Sequence, residues 1–360
     1  MSRKVLFVLP TDTLAGSELN LYRMAKELSE RGLHVIVIFM CGGNNNTWSD
    51  VNAEKIYLAA NKERLGVILL FFEFYKFFLR KEKFDYSFSS HVHCNAFISL
   101  ARAIRILIVN KQILRESTNI FSWFSGVRLL AFKMFYRMYS KDSLLICQTQ
   151  SMYNELIQHV PCLEQNRSLV LGNPIDYKNV EMRSLVPVNE DLEQSIVFVG
   201  RLVGEKGVDI LIEAFKLLGL DLKLVILGDG PLLNDLKSMS RSLGLSNRIR
   251  FIGHCNNPLP YMKRAKLTVT SSIHEGFPNV LLEQMAVSSK VVCTECAEGI
   301  SNLPGITVCR PNSATSLMLA MQKALGESQE NQAENISLMR EHVKQRSVKN
   351  YVNKIIEALS

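Results

Sequence analysis

"SIVFVGRLVGEKGVDILIEAFKLLGLDLKLVILGDG", Ser195–Gly230, is a strand-length apolar run, a loop carrying Arg201 and Lys206, a helix-length run and a second apolar run. Short Val- and Ile-rich runs separated by helical stretches are the signature of a parallel sheet buried on both faces. The series continues with "RIRFIG" (248–253), "LTVTSS" (267–272) and "KVVCTE" (290–295), alternating with "PLLNDLKSMSRSLG", "LPYMKRA" and "PNVLLEQMA". The fold class is α/β, an open sheet with helices on both faces.

The N-terminal half repeats the theme. "RKVLFVLP" and "HVIVIFM" flank "AGSELNLYRMAKELSERG", whose Leu19, Met24 and Leu28 have helical spacing closed by Gly32. "DYSFSS", "NKQILRES" and "SLLICQTQ" supply further strands. Between the halves, "LGNPIDYKNVEMRSLVPVNEDLEQ" combines an Asn-Pro turn, Pro187 and a loss of apolar periodicity. The expected organisation is a first domain over 1–175, a linker over 176–193, a second domain over 194–330, and C-terminal helices over 331–360 for which a return to the first domain stays open.

At 360 residues, with 47% hydrophobic and 21% charged residues, the chain has material for two cores. No apolar run reaches the length of a membrane span, and the short apolar stretch after "MSRK" reads as a first strand rather than a secretion signal. A cytosolic protein is expected. The eight cysteines lack paired spacing, and Cys293-Thr-Glu-Cys296 has no second pair to complete a zinc site, so no metal is expected. Positive charge concentrates early, with 22 Lys and Arg against 15 Asp and Glu up to residue 180 in a chain of net charge +8.

Ligands of such sheets bind beyond the C-terminal strand ends. There Arg201 and Lys206, in a loop loosened by Gly204 and Gly207, converge with helix-start amides on one anionic group such as a diphosphate. The competing reading is a pair of solvated loop charges. "SSIHEGFPNVLLEQMA", Ser271–Ala286, places Glu275 in the loop after the next strand, and Pro278 in the first turn of a helix that carries Glu283. Carboxylates accept hydrogen bonds in pairs, which suits the hydroxyls of a sugar or ribose, while the amides around Phe277 and Asn279 suit oxygen ligands. A loop acid beside a solvent-facing helix acid is the bland alternative.

In order and spacing, "FVGRLVGEKGVDILIEAF", "LVILGDGP", "RIRFIG" and "EGFPNVLLE" resemble the C-terminal half of the retaining glycosyltransferases of family 4. "AGSELNLYRMAKEL" resembles the family's N-terminal glycine loop, and "LICQTQSMYNELI" with "LGNPID" its approach to the linker. The resemblance implies the GT-B architecture, two Rossmann-like α/β/α domains with an inter-domain cleft. It further implies that Arg201 and Lys206 hold the donor diphosphate, that Glu275 binds the transferred sugar with the amides of Gly276, Phe277 and Asn279 nearby and Pro278, which has no N–H, shaping the turn, and that Glu283 binds the ribose. Gly16 would let the first domain's backbone approach the phosphates or the acceptor; His93, Arg115 and Glu116 are acceptor-side candidates. The chain departs from the family pattern at Ala15, where a glycine is usual, and at Ser288–Lys290, where Gly-x-Pro is usual.

The expected activity is transfer of a sugar from a UDP- or GDP-type donor to a glycan or lipid-linked acceptor, without a metal or other cofactor. A nucleotide-sugar epimerase of the same architecture and a noncatalytic polysaccharide binder are the alternatives. "LGDGP" lacks the third glycine of a dinucleotide site. "VILLFFEFYKFFLRKEKF" and "SWFSGVRLLAFKMFYRMYSK" mix aromatics with cations; they read either as core helices or as contacts to an anionic membrane surface on the inner face of the cell membrane. Interleaved large apolar side chains and the lack of a known binding module argue against nucleic acid.

Overall fold

A computed structural model describes residues 3–14, 16–42, 47–58, 63–117 and 120–359; Ala15 lies outside them. The chain divides into two compact units, Met1–Pro174 with Val348–Ser360, and Ile175–Ser347. Among the described residues the first unit has strands β1 (Lys4–Leu9), β2 (His34–Phe39), β3 (Glu54–Tyr57), β4 (Lys83–Ser90), β5 (Ile108–Arg115), β6 (Leu144–Cys147) and β7 (Arg167–Val170). They pair in parallel in the order β3-β2-β1-β4-β5-β6-β7. The second has β8 (Ser195–Val199), β9 (Lys223–Leu227), β10 (Ile249–Gly253), β11 (Leu267–Thr270), β12 (Val291–Thr294) and β13 (Thr307–Cys309), ordered β10-β9-β8-β11-β12-β13, also parallel.

Alternation along each strand feeds two cores. Val5, Phe7 and Leu9 join Val35, Val37 and Phe39 under helices Gly16–Glu30 and Val348–Leu359, while Leu6, Val8, Ile36 and Ile38 face helices Glu63–Leu79 and Val92–Ala103. In the second unit, Ile196, Phe198, Leu224 and Ile226 pack on helices Val208–Leu218 and Ala314–Leu325. Its opposite face packs on helices that include Leu259–Arg264 and Asn279–Val287.

Residues 176–193 lie in the second unit, where helix Tyr177–Arg183 buries Val180 in the same cluster as Leu281 and Met285. The C-terminal helices part company: Gln329–Gln345 buries Met339 and Val343 in the second unit, and Val348–Leu359 buries Tyr351, Val352 and Ile355 in the first. At the two crossings of the chain, the amide of Ile175 donates to the carbonyl of Arg346 at 3.0 Å, and Ile175 forms a parallel bridge with Ser347.

Candidate functional site

Winding reverses direction between β8 and β11: the chain runs outward from β8 through β9 and β10, then returns to pair β11 with the other side of β8. Such a switch point opens a crevice beyond the strand ends. The loops leaving β8 and β11 are the two that carry Arg201, Lys206 and Glu275.

These loops are locked together by backbone. The amide of Ile273 donates to the carbonyl of Glu205 at 2.8 Å, and the Ser271 hydroxyl donates to the carbonyl of Lys206 at 2.8 Å. Gly207 has φ +57°, and a Cβ there would collide with the Ser271 carbonyl. The "LGDGP" glycines serve the same close approach. Gly200 donates to the Leu227 carbonyl and Leu202 to that of Asp229, so a Cβ on Gly228 or Gly230 would overlap the carbonyls of Gly200 or Leu202. Their work is backbone contact, which accounts for both without a dinucleotide.

Lys206 Nζ meets Glu275 Oε1 at 2.8 Å, the side chains only 17% and 14% exposed. The Ser272 hydroxyl also donates to Glu275 Oε1, and the Glu275 amide donates to the Cys296 carbonyl at 2.8 Å. Thr294 Oγ1 in turn donates to the Ser272 carbonyl at 2.5 Å, so β12 braces the loop. Arg201 is 73% exposed and leans on Glu205 at 3.3 Å, leaving its guanidinium open to solvent. Pro278 precedes the helix that starts at Asn279, one position earlier than the first turn expected for it; its extended ψ of 111° turns the chain into the helix. Phe277 is buried and its ring carries the guanidinium of Arg346 at 5.1 Å. Gly276 completes this loop, and Glu283 sits half-buried on the helix.

The first unit has its own switch point, between β1 and β4. Gly16, exposed at φ +34°, opens the helix after β1. Beyond β4, His91 adopts φ +95°, a conformation rarely open to a side chain. It brings Nε2 to 3.2 Å from Ser17 Oγ and 3.6 Å from Glu18 Oε1. His93 is half-buried, its ring 5.8 Å from that of His91. The structure therefore groups Gly16 and His93 around Ser17, Glu18 and His91, three residues that sequence reasoning passed over.

Arg115 and Glu116 lie deeper. Arg115 is buried and donates to Asn173 Oδ1, while Nε and Nη1 meet no hydrogen-bond partner among the described residues. Glu116 accepts from Tyr139 at 2.8 Å and from Tyr136 and Asn95 at 3.0 Å each. Burial pushes its carboxyl up to about 7 against the opposing pull of those three donors and of Arg115. Its oxygens are engaged in the interior of the unit.

Residues 186–338 match the family Glycosyl transferases group 1. The chain is 34% identical over 171 residues to the N-acetylgalactosamine-N,N'-diacetylbacillosaminyl-diphospho-undecaprenol 4-alpha-N-acetylgalactosaminyltransferase of Campylobacter jejuni, covering 47% of this chain and 46% of that protein. It thus spans about half the length of that relative. An uncharacterized glycosyltransferase of Haemophilus influenzae is 24% identical over 84% of this chain and 83% of its own length. Among solved structures, HepE of Anabaena in complex with UDP superposes with a TM-score of 0.79 at 18% identity, over 99% of both chains, a likeness of fold. Over residues 186–338 the chain is thus similar to the group 1 glycosyl transferases, and its fold is GT-B.

Proposed function

We propose that the chain is a retaining hexosyltransferase, moving a sugar from a nucleoside-diphosphate-sugar donor of UDP or GDP type to a hydroxyl of a lipid-linked glycan during surface-polysaccharide assembly. The observation that carries this reading is the Lys206–Glu275 pair at the β8/β11 switch point. An ammonium beside a carboxylate offers a positive end to phosphate and an acceptor to sugar hydroxyls, within one fixed frame. The Campylobacter relative, named for transfer to a diphospho-undecaprenol-linked sugar, and the UDP held by HepE support the acceptor and donor classes.

In this mechanism Arg201 and Lys206 stabilise the charge that develops on the leaving diphosphate, the task a metal performs elsewhere, so neither metal nor other cofactor is required. Glu275 orients the transferred sugar, and Glu283 accepts from the ribose. The acceptor hydroxyl's proton passes to the departing phosphate oxygen on the same face, which gives retention without a protein nucleophile. The reaction is placed in the cytosol, at the inner face of the cell membrane.

The test is calorimetry with free UDP and GDP, followed by a panel of nucleotide sugars with and without lipid-linked acceptor. Nucleotide binding with acceptor-dependent release of nucleoside diphosphate is expected. Binding of neither nucleotide would sink the proposal, and donor conversion without acceptor would favour an epimerase.

A further inference from the structure

Helix Glu63–Leu79 is apolar on both sides. Leu70, Phe74 and Phe77 are buried in the core, while Leu65, Ile68, Phe72, Tyr75 and Leu79, spaced three and four residues apart, form an exposed stripe. Phe72 and Leu79 are each 62% exposed. A helix apolar all round normally lies inside a protein or a membrane. Among the described residues no helix is long and apolar enough to cross one.

The pattern recurs on helix Gly126–Arg137, where Val127 is 85% and Met134 60% exposed, with Leu130 between them. Both helices flank Val92–Ala103 in one layer, joined by rings: Phe71 to Phe97 at 6.2 Å and Phe97 to Phe135 at 5.6 Å.

Charge decides the occupant. Lys76, Arg80, Lys81 and Lys83 are exposed at or beyond the end of the first helix, and Arg128, Arg137 and Lys141 on or beyond the second. From Glu63 to Lys83 the acids are Glu63, at the helix start, Glu73, which is buried and paired with Lys76, and Glu82, which pairs with Lys4, against five Lys and Arg, and from 117 to 141 there is no acid. A second copy of the chain docking by two-fold symmetry would set these cations against themselves. Anionic head groups complement them, while the apolar stripes enter the acyl boundary.

We infer that the outer face of this helical layer is a docking surface for an anionic lipid bilayer, which holds the enzyme where a lipid-linked acceptor resides. This deepens the proposed function and rests on its acceptor class. The test is sedimentation of the full chain, at physiological salt, with vesicles of phosphatidylglycerol and phosphatidylcholine in equal amounts and with phosphatidylcholine alone. The protein is expected to sediment with the first and not the second. Phe72→Ser with Leu79→Ser, Val127→Ser and Met134→Ser, all at exposed positions, is expected to weaken binding at least about tenfold with an unchanged melting curve. Arg80→Gln with Lys83→Gln, Arg128→Gln and Arg137→Gln is expected to abolish the preference for anionic vesicles. Wild-type protein that ignores both vesicles overturns the inference, as does either variant binding like wild type. So does a dimer that the apolar variant splits without any vesicle binding. Transfer to a soluble glycan acceptor, read separately, tests the catalytic reading whatever the vesicles show.

Discussion

Lys206 Nζ and Glu275 Oε1 lie 2.8 Å apart although they leave different strands, β8 and β11. The two loops are joined by Ile273 to Glu205 and by Ser271 to the Lys206 carbonyl, so truncating either side chain removes one charge without unlocking that backbone. Lys206→Ala or Glu275→Ala is expected to lower transfer by about 10²–10³-fold, the scale of losing one preorganised electrostatic group, while far-ultraviolet circular dichroism stays unchanged. Release of nucleotide at saturating donor measures it. Normal turnover in either variant removes the pair from the site.

Two glycines at positive φ should respond differently to a methyl group. Gly228, at φ +145°, has the Gly200 carbonyl where a Cβ would go, whereas Gly16, at φ +34°, has open space. Gly228→Ala is therefore expected to destabilise the second unit by about 3 kcal/mol or more, through strain and overlap together, and Gly16→Ala the first by only about 1 kcal/mol. Urea unfolding followed by tryptophan-independent circular dichroism would show equal midpoints if the close approach at Gly228 were absent.

Glu116 makes the first unit pH-sensitive. Its carboxyl is pushed up to about 7 by burial, against a reference value of 4.5. Between those values the folded protein keeps a proton that the unfolded chain has lost. Stability therefore falls as pH rises through the window, by roughly 3 kcal/mol in all. Glu116→Gln mimics the neutral carboxyl and should flatten this slope, adding stability above the window and little below it. Denaturant midpoints on both sides of the window give the comparison; parallel curves for variant and wild type would contradict the assignment.

Arg346 stacks on Phe277, the residue between Gly276 and Pro278 in the Glu275 loop. Arg346→Met keeps most of the packing and removes a cation–π contact of about 0.5–2 kcal/mol. The expected result is a several-fold rise in donor KM with kcat less affected. An unchanged KM would mean that the loop holds its shape without the stack.

Legibility tracked burial. β8, β9, β11 and β12 announce themselves because buried strands are continuous apolar runs, whereas β3, β7 and β13 went unseen because they are short edge strands with half-exposed side chains. At the site, Lys206 and Glu275 stood out as charges beyond strand ends. Ser272 and Thr294, which brace Glu275, did not, since a hydroxyl at the end of a strand carries no mark of what it bonds. His91 was hidden for another reason: its φ of +95°, which turns the ring towards Ser17, is a property of the folded backbone, and the neighbouring His93 offered the same side chain. The glycines of "LGDGP" were visible as a motif, but only the nearness of Gly200 and Leu202 explains them.

The placement of helix Val348–Leu359 also sets an order of assembly. Tyr351, Val352 and Ile355 belong to the core beneath β1 and β2, and Arg31 donates to Asn353 Oδ1 at 2.8 Å. On a ribosome, every residue of the second unit emerges before this helix does. The half made first is thus the half completed last, and must wait with part of its interior uncovered while its sibling is synthesised.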